Sequence, residues 1–171
     1  HPTKHCTCMP GQVSRYLSRI SGPLMDRIDL QVEIMPVPFE ELSAMGGGER
    51  SDTIRERVVK ARAVQTLRFN AERHVHCNAQ MNSRLLAEYA VLDNECMEQL
   101  RYAMKRFDMS ARAYDRILKV ARTVADLDYG CRPDMSLDKA VAAPILTHHL
   151  KEAISYRNLD RSSWGATSVP F

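Results

Sequence analysis

The sequence predicts a mainly α fold, and three observations carry that expectation. Aromatic residues make up only 6% of the chain while Leu, Ile, Val, Ala and Met are plentiful, a balance that favours helical packing over a β-sandwich. Apolar residues recur at spacings of three and four, the mark of one helical face, in several separate stretches. Alternation with period two, the mark of a half-buried strand, occurs convincingly in one stretch only.

Taken in order, the first helix opens with Pro10 in its first turn and places Val13, Leu17 and Ile20 on one face, because spacings of four and three bring side chains into line. Ser21-Gly22-Pro23 ends it. Ile28, Leu30, Val32 and Ile34 then alternate with Asp29, Gln31 and Glu33, which predicts a strand near residues 28–34. A strand must satisfy its edge hydrogen bonds, and no second segment of comparable quality is present, so its sheet is expected upstream.

Pro36, Pro38 and the run Gly46-Gly47-Gly48 mark a turn-rich linker. Thr53-Ile54-Arg55-Glu56 has the form of a capping box opening a long helix to about Glu72. A further amphipathic helix is expected over 94–107, with Cys96, Leu100, Ala103 and Phe107 on one face. Ser110 suits the N-cap of the next, in which Ala113, Ile117, Val120, Val124 and Leu127 form an apolar stripe ending near Gly130. Pro144 can start the last helix, with Leu146, Leu150 and Ala153 on one face. The residues after Arg161 read as a loose tail.

Composition narrows the class. With 44% hydrophobic and 26% charged residues the chain is ordinary globular material, long enough for one sizeable core. Lys and Arg number 24 against 21 Asp and Glu, a net charge of +3, too small for a nucleic-acid footprint by itself. Five cysteines are an odd number, no apolar run approaches the roughly 18 residues of a membrane helix, and no signal-peptide core is visible. A reduced cytoplasmic setting without membrane contact is expected. The opening at His1 rather than Met reads as the middle of a loop, so the chain is expected to be an excised piece.

Several residues could carry chemistry. Arg27 sits between the Gly-Pro turn and the expected strand, where a guanidinium on a rigid element can serve as a charged, bidentate phosphate ligand. The alternative is an ordinary surface pair with Asp26 or Asp29. Arg112, Arg116 and Lys119 stand at i, i+4 and i+7, a basic stripe opposite the apolar one. For Arg116, Lys119 and Arg122 a solvated face is expected, with Asp115 pairing Lys119 and Asp126 pairing Arg122. Cys6 and Cys8 supply two thiolates at most, whereas a structural zinc site takes four ligands. His74-Val75-His76-Cys77 reads as a polar loop, and His148 and His149 as structural or surface residues, since helical neighbours point about 100° apart. The chain contains neither the G-x-x-x-x-G-K-[ST] phosphate loop nor an acidic strand end of the kind that holds Mg2+, so this piece alone is expected not to hydrolyse ATP.

Three blocks carry a resemblance. Arg19-Ile20-Ser21-Gly22-Pro23-Leu24-Met25-Asp26-Arg27-Ile28-Asp29-Leu30 is similar to the signature of magnesium-chelatase-like AAA+ ATPases of the competence protein ComM type. Residues 110–127 resemble that family's lid helix, and residues 152–161 its last helix. The blocks occur in the family's order across almost the whole chain. The resemblance implies a fold in which residues 1–50 end an AAA+ core, residues 51–160 form the helical lid and 161–171 trail as a tail.

By the same resemblance, Arg27 is the arginine finger acting on a neighbouring subunit's nucleotide, and Arg112 is the sensor-2 residue on its own subunit's nucleotide. ATP and Mg2+ are the implied cofactors and a self-oligomer, as a ring, the implied assembly. Family members carry a second Cys-x-Cys pair shortly upstream, which together with Cys6 and Cys8 would complete a Zn2+ site. The expected function is ATP-driven remodelling of branched or single-stranded DNA. The alternatives are the ATPase subunit of a chelatase that inserts metal into a tetrapyrrole, and a non-catalytic helical module binding protein or nucleic acid through Arg112, Arg116, Lys119 and Arg122.

Overall fold

The computed structural model describes residues 7–32, 34–37 and 48–157; Cys6, Gly46, Gly47 and the expected tail 161–171 lie outside them. The described residues are mainly α, as expected, and contain α1 (Pro10–Leu17), α2 (Gly22–Met25), α3 (Ser51–Arg68), α4 (Ser83–Tyr89), α5 (Asn94–Arg106), α6 (Ala111–Cys131), α7 (Leu137–Ala142) and α8 (Thr147–Ser155), with a single 3-10 turn at Asn78–Gln80. The strand expected over 28–34 is not formed: among the described residues there is no strand, and Leu30, Val32 and Ile34 are exposed. The alternating pattern is present, but no described segment offers the edge it needs for a ladder.

The caps explain where most of the helices begin. Ser110 Oγ accepts from Ala113 N at 3.3 Å, Asp93 Oδ1 from Cys96 N at 2.7 Å, and Asn82 Oδ1 from Leu85 N at 3.0 Å. Each satisfies one of the amides that a first helical turn leaves without a partner. Asp108 takes the left-handed conformation, φ 47°, just past α5, and Met109 N donates back to Met104 O at 3.0 Å. This closure lets the chain reverse and reach the Ser110 cap within a few residues. The capping box expected at Thr53 is not used. Helix α3 starts earlier, at Ser51, behind Arg50, which makes no side-chain cap.

Helix α6 is the spine, packed against α3, the 3-10 turn, α4, α7 and α8. Where it crosses α3, a Cβ on Gly130 would lie 3.4 Å from the Lys60 carbonyl, so the small residue permits the close approach. The buried face of α6 differs from the expected stripe. Ala113 and Ile117 are buried as expected, but they are joined by Leu118, Ala121, Arg122, Ala125, Asp126 and Tyr129, while Val120 and Val124 are half-buried and Leu127 is exposed. The helix is apolar around much of its circumference, so periodicity alone did not fix its orientation; small alanines and a neutralised charge pair allow the other face inward. Leu85, Leu100 and Leu150 are almost wholly buried around it, each contributing about 1.5–3 kcal/mol by removal from water.

The charge pair is the unexpected centre of the core. Asp126, at 0% exposure, accepts from Arg68 through both oxygens at 2.6 Å, from Asn78 Nδ2 at 2.7 Å and from Arg122 Nε at 3.1 Å. The Asp126–Arg122 pairing expected on a solvated surface therefore exists, but in the interior. Arg68 also donates to Asn78 Oδ1 at 3.0 Å, and Asn78 Nδ2 reaches Thr123 Oγ1 at 3.1 Å. This fork ties the end of α3 and the 3-10 turn to the middle of α6.

A second polar anchor fixes α8. The buried His149 accepts at Nδ1 from Leu146 N at 3.1 Å, so in its neutral form Nε2 carries the proton and donates to Asp128 Oδ2 at 3.0 Å. Arg132, hydrogen-bonded to the same carboxylate, is the first cause holding the Asp128 pKa down at about 2, and the His149 hydrogen bond adds to it. Burial pushes the His149 pKa below its usual 6.5.

Two outcomes follow for stability. Asp126→Ala leaves two buried guanidiniums facing each other and should cost about 3–5 kcal/mol, measured by urea denaturation. For His149, the unfolded chain takes up the proton more readily than the folded one, so stability is lost as pH falls below about 6.5. A second loss, from Asp128, sets in as pH falls from 3.8 through about 2. Thermal midpoints across pH should show both limbs, and His149→Gln should remove the upper one while the lower one, owed first to Arg132, persists in weakened form.

Candidate functional site: the Arg112 groove and the Arg27 turn

The Ser110 cap places Arg112 in the first turn of α6, exposed at one end of a groove of about 510 Å3. The groove runs along the face of α6 that the core does not use. Val120, Val124 and Leu127 form its apolar wall, and Glu152 and Tyr156 from the end of α8 close the other side. Val120, Val124 and Leu127, read from the sequence as part of a core stripe, thus line the groove, while Ala113 and Ile117 of the same stripe lie in the core.

The three cations of the basic stripe all line this groove, and they are not equivalent. Arg116 forms an ion pair with Asp29, and Lys119 Nζ donates to Ala79 O at 3.0 Å. The expected Asp115–Lys119 pair is absent among the described residues. Arg112 makes no ion pair among them either, so its guanidinium is the member of the stripe available to a ligand. Arg122, expected on the same solvated face, is only 2% exposed and belongs to the core.

Arg27 lies in the turn after α2. Ser21 starts that short helix, its Oγ accepting from Leu24 N at 3.3 Å, and Arg27 N donates to Leu24 O at 3.0 Å. Met25 is buried, while Arg27 itself is exposed. The alternative of a local surface pair is not realised: Asp29 turns to Arg116, and among the described residues Arg27 has no ion pair. The segment that follows is fastened to the helical bundle at three points. Arg157 Nη1 donates to Ile28 O at 2.6 Å, Gln31 N donates to Tyr156 O at 2.8 Å, and Asp29 holds Arg116.

Arg27 does not line the Arg112 groove. The two arginines are held on one frame but presented at different places, joined through Asp29, Arg116 and Arg157. Sequence reasoning named both ends of this arrangement and missed the fasteners. Arg157 and Ile28 stand 129 residues apart, and no local spacing signals such a contact.

Cys6 lies outside the described residues and Cys8 is exposed. His74 and His76 are exposed in a loop, as expected. Among the described residues one group of three donors is close enough to hold an ion, Asp128, His148 and His149. In it, His149 spends Nδ1 on Leu146 N and Nε2 on Asp128, and Asp128 is engaged by Arg132 at 2.6 Å, an arrangement built for anchoring α8. Among the described residues no helix is long and apolar enough to cross a membrane.

Comparison with known proteins places this geometry. The family model for the C-terminal part of magnesium chelatase subunit ChlI matches residues 48–157, and the model for magnesium chelatase subunit ChlI matches residues 1–42. Competence protein ComM of Haemophilus influenzae is 37% identical over 166 residues, covering 94% of this chain and 29% of that protein. The uncharacterized protein YifB of Escherichia coli K12 is 38% identical over 158 residues, covering 92% of this chain and 28% of its own length. YifB of Salmonella typhimurium is 37% identical with the same coverage. The chain spans less than a third of the length of these relatives. It belongs to the magnesium chelatase subunit ChlI C-terminal family, as a C-terminal module of the magnesium-chelatase-like, ComM-type AAA+ proteins.

Proposed function

We propose that this chain supplies two arginines to the ATPase cycle of a larger AAA+ protein. Arg112 acts as sensor 2 on the nucleotide of its own subunit, and Arg27 acts as the arginine finger on the nucleotide of a neighbour in a self-assembled ring. The observation that carries the reading is the exposed Arg112, without an ion pair among the described residues, at the end of a groove whose other cations are already engaged. A guanidinium without an internal partner breaks no ion pair when it turns to a phosphate, and the bond it forms is charge-assisted.

The groove fits one part of a nucleotide better than another. Arg112 suits the phosphates, and Val120, Val124 and Leu127 offer an apolar surface. Bound ATP supplies the phosphoryl group; the chain's own contribution is to orient it and to offset its charge. Among the described residues no carboxylate cluster for Mg2+ lies at the groove, and no role in holding that ion is assigned to this chain. Zn2+ would need Cys6 and Cys8 together with two further ligands from outside the chain, since a structural site takes about four.

The fasteners suggest how hydrolysis is coupled to work. Asp29–Arg116 and Arg157–Ile28 tie the Arg27 turn to the wall of the Arg112 groove, so a movement of the lid toward its own nucleotide shifts the finger offered to the next subunit. The likeness to a competence protein favours branched or single-stranded DNA over a tetrapyrrole as the remodelled substrate, acted on in the cytoplasm. The reading as a passive basic interaction module is weakened by Arg122, which is buried, and by Arg116 and Lys119, which are engaged.

ATP turnover of the intact protein tests this. Arg27→Ala should lower kcat about 10³-fold or more, the range for losing an arginine finger. Arg112→Ala should raise KM for ATP about tenfold, as loss of a charge-assisted bond does. Mixing Arg27→Ala with a variant lacking the phosphate-loop lysine should restore part of the activity, since each subunit then supplies what its neighbour lacks. Salt-sensitive DNA binding that depends on Arg112, with turnover untouched by either substitution, would instead establish the interaction module.

A further inference from the structure

One ion pair in the Arg112 groove joins α6 to the segment that carries Arg27. Arg116 and Asp29 both line the groove and pair with each other. Arg116 stands one helical turn beyond Arg112, and residues at i and i+4 share a helical face, so the two guanidiniums border the same space. Asp29 is two residues from Arg27. Of the three acids that line the groove, Asp29, Asp115 and Glu152, Asp29 is the one that engages a cation. Glu152 accepts from the Tyr156 hydroxyl at 3.1 Å, and Asp115 makes no ion pair among the described residues.

A carboxylate on a guanidinium occupies the place a phosphate oxygen would take, since Arg binds either anion through the same planar fork. The pair is not a buried one: Asp29 is exposed and Arg116 half-buried, and ion pairs of that kind contribute little. A triphosphate brings more negative charge than one carboxylate, so it outcompetes Asp29 for Arg116 and repels the carboxylate it displaces. The other two fasteners of the segment, Arg157 to Ile28 O and Gln31 N to Tyr156 O, do not involve Arg116. They keep the segment on the helical bundle after Asp29 lets go.

We propose that Arg116 is a second phosphate ligand of the nucleotide groove and that Asp29 is its internal competitor, holding the guanidinium while the groove is empty and giving it up when a nucleoside triphosphate enters. Asp29 acts through Arg116, as a positioning residue, and does not itself touch the nucleotide. The exchange of partners releases one fastener of the segment that carries Arg27. Occupancy of a subunit's own groove is thereby communicated to the arginine it offers its neighbour. The inference rests on the reading of the groove as a nucleotide site with Arg112 as sensor 2.

Calorimetric binding of a non-hydrolysable ATP analogue to the intact protein tests it. Asp29→Asn should tighten binding about two- to fivefold, the equivalent of one surface ion pair, whereas a damaged fold would weaken it. Asp29→Glu, which keeps a competing carboxylate, should bind as the wild type does. Arg116→Ala should weaken binding about tenfold, and Asp29→Asn added to Arg116→Ala should then change nothing, because no guanidinium is left to compete for. Affinity unchanged or lowered in Asp29→Asn, affinity unchanged in Arg116→Ala, or equal tightening by Asp29→Asn with and without Arg116, which is repulsion alone, would each overturn the proposal. Arg112→Ala tells this failure from that of the underlying reading. Binding that is weakened by Arg112→Ala but indifferent to Asp29→Asn removes the competition alone, while binding indifferent to Arg112→Ala removes the nucleotide reading and the competition with it.

Discussion

The carboxylate of Asp126 is the constraint on which the rest of the structure depends. Its bidentate bond to Arg68 locks the C-terminal end of α3 against the middle of α6, and Asn78 brings the following 3-10 turn to the same point. With that crossing fixed, α6 can turn only one face inward. The face that remains outside, Val120, Val124 and Leu127, becomes the wall of the Arg112 groove. A buried ion pair is weak support for stability by itself, because desolvation offsets much of the attraction. What it fixes is orientation, because the bond from Arg68 reaches α6 on the side that carries Asp126.

The order of causes runs outward from this point. Ser110 sets the first turn of α6 and so the position of Arg112. Gly130 lets α3 approach near the far end of the helix. His149 fastens α8 by using both of its ring nitrogens, and the end of α8 then presents Tyr156 and Arg157 to the segment carrying Asp29. Arg27 is therefore positioned by contacts that begin in the core of the helical bundle, although its own turn is a local structure made by Ser21, Leu24 and Met25.

Much of this was legible in the sequence where the signal is local. The mainly α class, the Ser110 cap, the buried Cys96, Leu100 and Ala103, and the family to which the chain belongs all follow from patterns within a few residues or from contiguous motifs. The short helices α4 and α7 escaped notice because, at 7 and 6 residues, neither completes two turns, although Asn82 and Ser136 are sound N-caps. The strand failed for a physical reason, since alternation specifies a face and not a partner. The orientation of α6 and the burial of Arg122 were beyond local reading. They depend on Arg68, whose distance of 58 residues from Asp126 leaves no trace in spacing.

Native-state hydrogen exchange resolved by residue tests the central dependence most directly. If the Asp126 fork organises the bundle, the amides of α6 around Arg122 and Asp126 and those at the C-terminal end of α3 should exchange only through global unfolding. The amide of Gln31, held by Tyr156 O, and that of Ile28, held within its own turn by Met25 O, should open at lower free energy, and Asp29→Ala should lower it further without changing α6. Protection around Asp126 no greater than that of α1, or exchange in α6 that accelerates together with Ile28 and Gln31 in Asp29→Ala, would contradict the account.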